Sequence, residues 1–153
     1  MVNTDNQLCE DLIDVWLNLS STLWNRRVSA KMAFNELLIC NLLKRQMDED
    51  PSQLLAATNL CEKTRLYKSQ MNKVLNSMET KGYIKRIRST EDKRFVYIQL
   101  CEKGLNEYFE EHASILHWVH ELINRIGTER IEHTIENVNE IAEELKDLIK
   151  FEY

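Results

Sequence analysis

Polar side chains that can hydrogen-bond to the edges of nucleic-acid bases cluster in one short segment, residues 68–81. If this segment is helical, one of its faces carries amide, hydroxyl and ammonium groups and has no acidic residue at its centre. The opposite face is apolar, with Met71, Val74, Leu75 and Met78. An ordinary solvated helix face is commonly rich in Glu and Lys, which this one is not. The candidate base-contacting residues are Lys68, Ser69, Gln70, Asn72, Lys73 and Asn76. Amides of this kind can pair with adenine, and a lysine can reach guanine or phosphate.

A second group of cations lies immediately downstream, in a segment that predicts a β-hairpin. Residues 83–88 and 95–100 are rich in β-branched and aromatic side chains, and they flank a charged stretch, 89–94, without apolar residues. Because no Asn-Gly or Asp-Gly dipeptide is present, we expect a loop longer than two residues. The candidate DNA-contacting cations of this hairpin are Arg86, Arg88, Lys93 and Arg94, with Lys85 beside them. A charged hairpin tip is by itself more often a solvated turn, but directly after a candidate base-reading helix it favours contact with a DNA backbone or minor groove.

Helical periodicity predicts the elements that position these two groups. Apolar spacing predicts a first helix over about 5–26 and a second over about 34–47, the latter carrying several leucines. A short helix is expected to end near Thr64, and residues 65–67 predict a tight connection into a helix over 68–81. This order places two helices at a short turn, as in a helix-turn-helix.

Glycines mark the boundaries of the later elements. Gly82 directly follows the 68–81 segment and predicts a left-handed helix stop. From about Glu102 the pattern is helical again, Gly127 interrupts it, and Thr128 is expected to cap a final helix. The sequence therefore predicts a mainly α fold, a winged helix-turn-helix DNA-binding domain with a two-stranded β-wing and long helices at both ends.

Composition and charge fit a regulator that presents one basic face to DNA. Apolar residues make up 43% of the 153-residue chain, which contains 3 Gly and 1 Pro. The net charge is −5, yet residues 61–104 contain 11 Lys and Arg against 5 Asp and Glu. The four cysteines form no CxxC pair and are expected to be free thiols in a reducing compartment. We find no signal peptide and no apolar run long enough for a membrane span, and we therefore expect a cytoplasmic protein without a membrane partner.

Several motifs between residues 59 and 104 resemble the DNA-binding core of the MarR family of winged helix-turn-helix transcriptional regulators. They are Leu60, Ser69, the stretch Met78-Glu79-Thr80-Lys81-Gly82-Tyr83-Ile84, the pair Asp92-x-Arg94, and Leu100-x-x-x-Gly104. The acid–base pair is the most specific of these. Cys101 stands where the family usually has Thr, so capping of the following helix is expected to be poorer or to come from another group.

The resemblance implies the organisation and the partners of the whole chain. Residues 1–153 would form a single MarR-like domain, with 34–100 as the DNA-binding part and 1–30 and 102–153 as dimerisation helices. By the same resemblance, Arg94 would insert into the minor groove while Asp92 orients its guanidinium. The expected partners are a double-stranded DNA operator, an inverted repeat with half-sites about one helical turn apart, and a second copy of the chain. Members of the family are more commonly repressors and often respond to small-molecule effectors, metals or oxidants.

Sensing roles and other function classes remain open at this point. Cys9 resembles the sensing cysteine of the family's hydroperoxide sensors, although no Tyr precedes Tyr67. His117 and His120 have the i, i+3 spacing of a zinc pair, with His112 on the same segment, but no CxxC or HExxH motif supports a metal site. No catalytic motif occurs, so no enzyme activity, cofactor or metal is predicted. The alternative function is a winged-helix protein–protein interaction adaptor without sequence-specific DNA binding.

Overall fold

A computed structural model describes residues 4–25, 31–90 and 92–148. Helices account for most of these residues, and three short strands form one antiparallel sheet. The chain divides into two compact units, one before Lys31 and one that begins at Lys31.

The part of the first unit that the structure describes is the helix α1, which spans Thr4–Asn25. Asp5 lies in its first turn, where a negative charge stabilises the positive end of the helix dipole. The helix predicted over about 5–26 is confirmed within the described part of the chain, which ends here at residue 25. Leu8, Leu12 and Trp16 follow one another along α1 and are all exposed.

The described residues of the second unit, 31–90 and 92–148, form five helices, each of which matches a predicted one. They are α2 (Phe34–Glu49), α3 (Ala57–Thr64), α4 (Lys68–Thr80), α5 (Glu102–Ile126) and α6 (Thr128–Leu148). The end of α2 lies two residues beyond the predicted one. Asp50 then takes an extended conformation, as expected for a residue before a proline. Among the described residues, no helix combines the length and the apolar character that crossing a lipid bilayer requires.

The sheet contains the predicted hairpin and one strand that was not predicted. Strands β2 (Ile84–Arg88) and β3 (Val96–Leu100) pair antiparallel through a loop longer than two residues, as expected. We call this hairpin, including its tip, the wing. The additional strand, β1 (Leu55–Ala56), pairs with the other edge of β3. Two residues are too short to show any periodicity, so only their pairing with a strand about 40 residues away reveals them.

The core lies between α2, α3, α4 and the sheet. Its side chains with the smallest exposure are Ile39, Cys40, Leu60, Met71, Leu75, Met78 and Ile98. The apolar pattern of α2 is dominated by leucines, of which Leu37 and Leu42 are only partly buried. The segment is apolar on nearly every side, so its periodicity alone does not select the buried face. Packing against the other helices turns Ile39 and Cys40 inward.

The boundary between α5 and α6 lies at Gly127, as predicted, but the cap of α6 differs from the prediction. Gly127 has a φ of +96°, a region that favours glycine, and its N–H donates to the carbonyl of Ile123. Thr128 is already the first residue of α6. The Gly127 carbonyl accepts from the N–H of Ile131, so the glycine holds the capping position that was predicted for Thr128.

Candidate nucleic-acid interface

Helix α4 has one buried and one exposed face. Met71, Leu75 and Met78 are buried in the core, and Val74 is half-buried. All six predicted base-contacting side chains are exposed: Lys68, Ser69, Gln70, Asn72, Lys73 and Asn76. The apolar spacing of α4 therefore orients the helix, because burial of one face leaves the polar face in solvent. Contact of these residues with bases remains a prediction.

The first turn of α4 is capped by one of these six residues. Gln70 Oε1 accepts a hydrogen bond of 3.1 Å from the backbone N–H of Tyr67, the residue before the helix. In a capping box, the side chain of the third helical residue accepts a hydrogen bond from the backbone N–H of the capping residue, and this bond is present here. The capping residue is Tyr67 and not the usual Ser or Thr. The amide of Gln70 is thus held by the backbone, which was not predicted from the sequence.

The end of α4 is closed by the predicted left-handed glycine. Gly82 has a φ of +76°, and its N–H donates to the carbonyl of Glu79. The N–H of Tyr83 donates to the carbonyl of Met78 at 2.8 Å. These two bonds form a Schellman motif, which satisfies the last carbonyls of the helix.

Glu36 joins α2 to the end of α4 from inside the core. The residue is 2% exposed, and its carboxylate accepts from Ser77 Oγ at 2.7 Å and from Lys81 Nζ at 2.7 and 2.8 Å. It also accepts from the backbone N–H of Ala33. Burial raises the pKa of Glu36, but the hydrogen bonds from Lys81, Ser77 and Ala33 and the charge of Lys81 lower it by more, so that the pKa lies below 4.5. This residue was not predicted from the sequence, since a single acid in an apolar helix segment normally faces solvent.

Gly104 allows α5 to approach the start of the wing. A Cβ atom at this position would lie 2.3 Å from the carbonyl oxygen of Tyr83. The same oxygen accepts a hydrogen bond of 2.8 Å from the N–H of Cys101. Cys101 caps α5 without a side-chain hydrogen bond, in agreement with the poorer capping expected from a cysteine there. The Leu100-x-x-x-Gly104 motif therefore marks a close contact of two backbones.

The tip of the wing holds Arg94 against Asp92. The Asp92 carboxylate accepts from Arg94 Nε at 3.1 Å, from Nη2 at 2.9 Å and from the Arg94 backbone N–H at 3.0 Å. The side-chain and backbone bonds from Arg94 lower the pKa of Asp92. The Arg94 side chain is nevertheless 89% exposed. The expected contact within the pair is present, and insertion of Arg94 into a minor groove remains a prediction.

The other wing cations do not all face solvent. Lys85, Arg88 and Lys93 are exposed. Arg86 instead faces α4, where its Nη1 donates to Asn76 Oδ1 at 2.8 Å and to Glu79 Oε2 at 2.9 Å. Arg86 was grouped with the outward cations on sequence alone, and its contact with Glu79 was not predicted, because this contact depends on how the hairpin packs on the helix.

A groove of about 500 Å³ lies between α4 and the wing. Asn72 lines it from α4, and Arg86 and Arg94 line it from the wing. Thr58, in the first turn of α3, lines it as well. The groove thus brings together residues that were predicted separately as base-reading and wing contacts.

Comparison with known proteins identifies the family to which the chain belongs. The profile of the family described as transcriptional regulator SarA/Rot matches residues 27–111, which is more than half of the chain and includes α4 and the wing. The chain belongs to the SarA/Rot family of transcriptional regulators. No match was found among curated proteins.

Solved structures share the fold of this SarA/Rot family member at low sequence identity. BldR from Sulfolobus solfataricus is 20% identical, with a TM-score of 0.70, over 94% of this chain and 99% of BldR. FabT from Streptococcus pneumoniae, solved in complex with DNA, is 18% identical, with a TM-score of 0.69, over 94% of this chain and 99% of FabT. PcaV from Streptomyces coelicolor, solved with its natural ligand, is 17% identical, with a TM-score of 0.69, over 86% of this chain and 89% of PcaV. The MarR-type winged-helix fold indicated by the motifs is confirmed.

Membership of the SarA/Rot family agrees with the prediction that the chain is a regulator and not an enzyme. Within residues 4–25, 31–90 and 92–148, no three His, Cys, Asp or Glu side chains are grouped as metal ligands. Of the histidines considered for zinc, His112 stacks on Tyr108 with ring centroids 5.4 Å apart. His117 and His120 are exposed.

The four cysteines of this SarA/Rot family member are free thiols in different environments. Cys40 and Cys61 are buried, and burial raises the pKa of Cys40 to about 12 and also raises that of Cys61. Such thiols are poor nucleophiles. Cys9 is exposed and Cys101 is half-buried. The accessible position of Cys9 is compatible with a redox role, which stays a prediction.

Proposed function

We propose that the protein regulates transcription by binding an inverted-repeat DNA operator as a homodimer, with α4 in the major groove and the wing at the flanking minor groove. The observation that carries the proposal is the placement of two sets of side chains across one groove. Asn72, one of the exposed polar side chains of α4, lies on one side, and Arg94, held by Asp92, lies on the other. Such a surface offers hydrogen bonds to base edges and charge to phosphates at the same time.

The fold neighbours support this proposal. FabT, whose chain superposes on 94% of this one, was solved in complex with DNA. The basic balance of residues 61–104 supports it as well, because phosphate contacts supply much of the affinity of such proteins.

The exposed apolar side chains support a homodimer. Trp118 and Leu122 of α5 and Ile135 and Val138 of α6 are between 36% and 55% exposed. Trp16 of α1 is also exposed. Extended apolar surfaces of this kind mark protein–protein interfaces. A two-fold dimer presents two copies of α4, which is why the operator is proposed to be an inverted repeat.

The proposal also includes control of operator binding by a small-molecule effector. PcaV, another fold neighbour, was solved with its natural ligand. A small molecule that binds one spacing of the two α4 helices better than another shifts the population between dimers that fit the operator and dimers that do not. Repression, relieved in this way, is the direction that we propose.

Selection of bound duplexes from fragmented source DNA tests this function, with Lys73→Ala, Arg94→Ala and Lys146→Ala as variants. The wild type is expected to recover a palindromic site. Lys73→Ala and Arg94→Ala are each expected to lose about tenfold in affinity, since base and groove contacts contribute roughly 1–3 kcal/mol. Lys146→Ala removes the same charge from α6 and is expected to bind like the wild type. On a transcription template that carries the selected site, the wild type is expected to lower transcript yield.

Other outcomes of this experiment would contradict the proposal. A folded Arg94→Ala protein with unchanged affinity would remove the wing from the interface. Random fragments bound with equal affinity by the wild type and by Lys73→Ala would favour the protein–protein adaptor. Circular dichroism verifies that each variant is folded before its affinity is interpreted.

A further inference from the structure

Two amide side chains on the exposed face of α4 are already hydrogen-bonded to donors within the protein. Asn76 Oδ1 accepts from Arg86 Nη1 at 2.8 Å. Gln70 Oε1 accepts from the backbone N–H of Tyr67 at 3.1 Å. Both residues were predicted from the sequence as partners for adenine, which requires an amide to donate and to accept at once.

The chemistry of the two partners determines which amide atom faces each of them. A guanidinium has five N–H donors and no acceptor, and a backbone N–H is only a donor. The atom of Asn76 that faces Arg86 must therefore be its oxygen, and the same holds for Gln70 facing Tyr67. Because oxygen and nitrogen diverge from the same carbon, the NH2 group of each exposed amide is the part that remains for DNA.

This orientation makes Gln70 and Asn76 hydrogen-bond donors on the exposed face of α4, beside Ser69 and Asn72, whose side chains can both donate and accept. The NH2 groups of Gln70 and Asn76 join the ammonium groups of Lys68 and Lys73, all on exposed side chains. In the major groove, guanine offers two acceptors, N7 and O6, and thymine offers O4. Adenine offers only one acceptor there, N7, with an amino donor beside it that an NH2 group cannot satisfy, and cytosine offers only an amino donor.

Arg86 is held in this position by a second contact. Its Nη1 also lies 2.9 Å from Glu79 Oε2, and Glu79 is one turn beyond Asn76 on the same side of α4. The Arg86 side chain is 26% exposed, compared with 89% for Arg94 at the tip. Transfer of Arg86 to a phosphate would leave the Glu79 carboxylate uncompensated near DNA. Of these two wing arginines, Arg86 is therefore bonded to α4 and Arg94 faces solvent.

We propose that Arg86 is a specificity-determining residue, which holds Asn76 as a hydrogen-bond donor so that α4 selects guanine over adenine at the base pair that Asn76 faces. The inference rests on the proposed function, since it requires α4 to contact bases. Arg86 acts through Asn76 and is therefore a positioning residue. Gln70 is also held as a hydrogen-bond donor toward DNA, but by the backbone N–H of Tyr67, so its orientation does not depend on the wing.

Selection from duplexes with randomised half-sites tests the proposal through base preference. Asn76→Ala and Gln70→Ala first identify the position that each amide reads, as the position where discrimination is lost. At the Asn76 position, the wild type is expected to prefer guanine over adenine by about tenfold. Arg86→Met, which keeps an unbranched chain but no donor, is expected to shift that ratio about tenfold toward adenine, because Asn76 can then rotate to donate and accept. The preference at the Gln70 position is expected to stay unchanged, which provides an internal control.

Two further variants separate specificity from charge and from folding. In Arg86→Met, the Glu79 carboxylate is left uncompensated near DNA, which lowers affinity. The double variant Arg86→Met with Glu79→Gln removes this charge, and it is expected to recover affinity while keeping the shifted base preference. Asn76→Asp retains the bond to Arg86 but turns an acceptor toward DNA. It is expected to favour cytosine or adenine, even if Arg86→Met proves unfolded by circular dichroism.

The outcomes distinguish this inference from the proposed function. A wild type that selects no site overturns the proposed function and this inference with it. A wild type that selects a site with adenine at the Asn76 position overturns the inference alone. The inference is likewise overturned if folded Arg86→Met keeps the wild-type base there, or if the Gln70 position shifts equally.

Discussion

At the scale of single residues, the interface depends on charges that are paired inside the protein. Glu36 is almost fully buried and accepts hydrogen bonds from Ser77 and Lys81, near the end of α4. A buried carboxylate that lost these partners would be costly, so the bonds constrain where α4 ends. Lys81 also lies 5.6 Å from the centre of the Tyr83 ring, at the residue where the chain leaves α4 for the wing.

Replacement of Glu36 is expected to loosen the end of α4. Glu36→Ala should lower the free energy of unfolding by about 2 kcal/mol, because Ser77 and the Ala33 N–H lose their acceptor, whereas Lys81, which is 40% exposed, regains water. Denaturant unfolding measures the change. Glu62→Ala, at an exposed position of α3, is the matched control and is expected to be nearly neutral. Equal stability of the two variants would contradict the anchoring role.

The pH dependence of this effect follows from the direction of the pKa shift. The pKa of Glu36 is lower in the folded protein than the ordinary 4.5 of the unfolded chain. Its stabilisation is therefore fully present above that ordinary value and is lost as the pH falls through the folded-state pKa. The stability difference between wild type and Glu36→Gln is accordingly expected to shrink on acidification below about pH 4.5.

At the scale of elements, α4 is oriented by its own apolar face and by contacts at both of its ends. Met71, Leu75 and Met78 provide the buried face. Gln70 closes the first turn, and Gly82 closes the last. The wing and the start of α5 then pack where α4 ends, which couples the direction of the helix to the position of the wing.

The contact of α5 with the wing predicts a strong effect of a single methyl group. Gly104→Ala places a Cβ 2.3 Å from the Tyr83 carbonyl oxygen, and this backbone cannot move as a flexible side chain would. We expect a loss of about 3 kcal/mol or more in stability, at the upper end for overpacking. Thermal unfolding followed by circular dichroism measures it.

Gly127→Ala serves as the comparison for this variant. A Cβ at Gly127 lies within 4 Å of no other described residue, and its φ of +96° opposes the substitution. This strain is expected to cost about 1–2 kcal/mol. A Gly104→Ala protein no less stable than Gly127→Ala would show that the close approach of α5 is not required.

At the scale of the whole molecule, large apolar side chains of the long helices remain in solvent in a single chain. Ile135, Val138 and Ile141 follow one another along α6, and all are exposed. Leu122 and Ile126 of α5 are exposed as well. A second copy of the chain is the partner that we propose for this surface.

Substitution on α6 tests the homodimer. The wild type is expected to sediment as a dimer, and Ile135→Glu with Val138→Glu is expected to shift it to monomer, because each introduced charge must be desolvated at the interface. Operator affinity should fall as well, since two half-sites are then bound independently. Glu140→Arg, about 200° around the helix from Val138, is the control and should remain dimeric. Sedimentation velocity decides between these outcomes, and a wild-type monomer would refute the dimer.

Those features that depend on local periodicity and on backbone chemistry could be predicted from the sequence. The helices, the hairpin, the stop at Gly82 and the polar face of α4 follow from the spacing of apolar side chains and from the freedom of glycine to adopt a positive φ. The Asp92–Arg94 contact also joins near neighbours along the chain. Such features need no knowledge of what packs against them.

Long-range packing, in contrast, determines which polar groups are already bonded within the protein. Strand β1 exists through its pairing with β3, Glu36 is buried because α2 and α4 close over it, and Arg86 reaches Asn76 because the hairpin folds back on α4. Each of these contacts joins segments that are separated in the chain or lie on different elements. The spacing of side chains along the sequence does not indicate such contacts. The direction of the Asn76 amide on α4 therefore depends on an arginine from another element, and in the function that we propose so does the base that Asn76 selects.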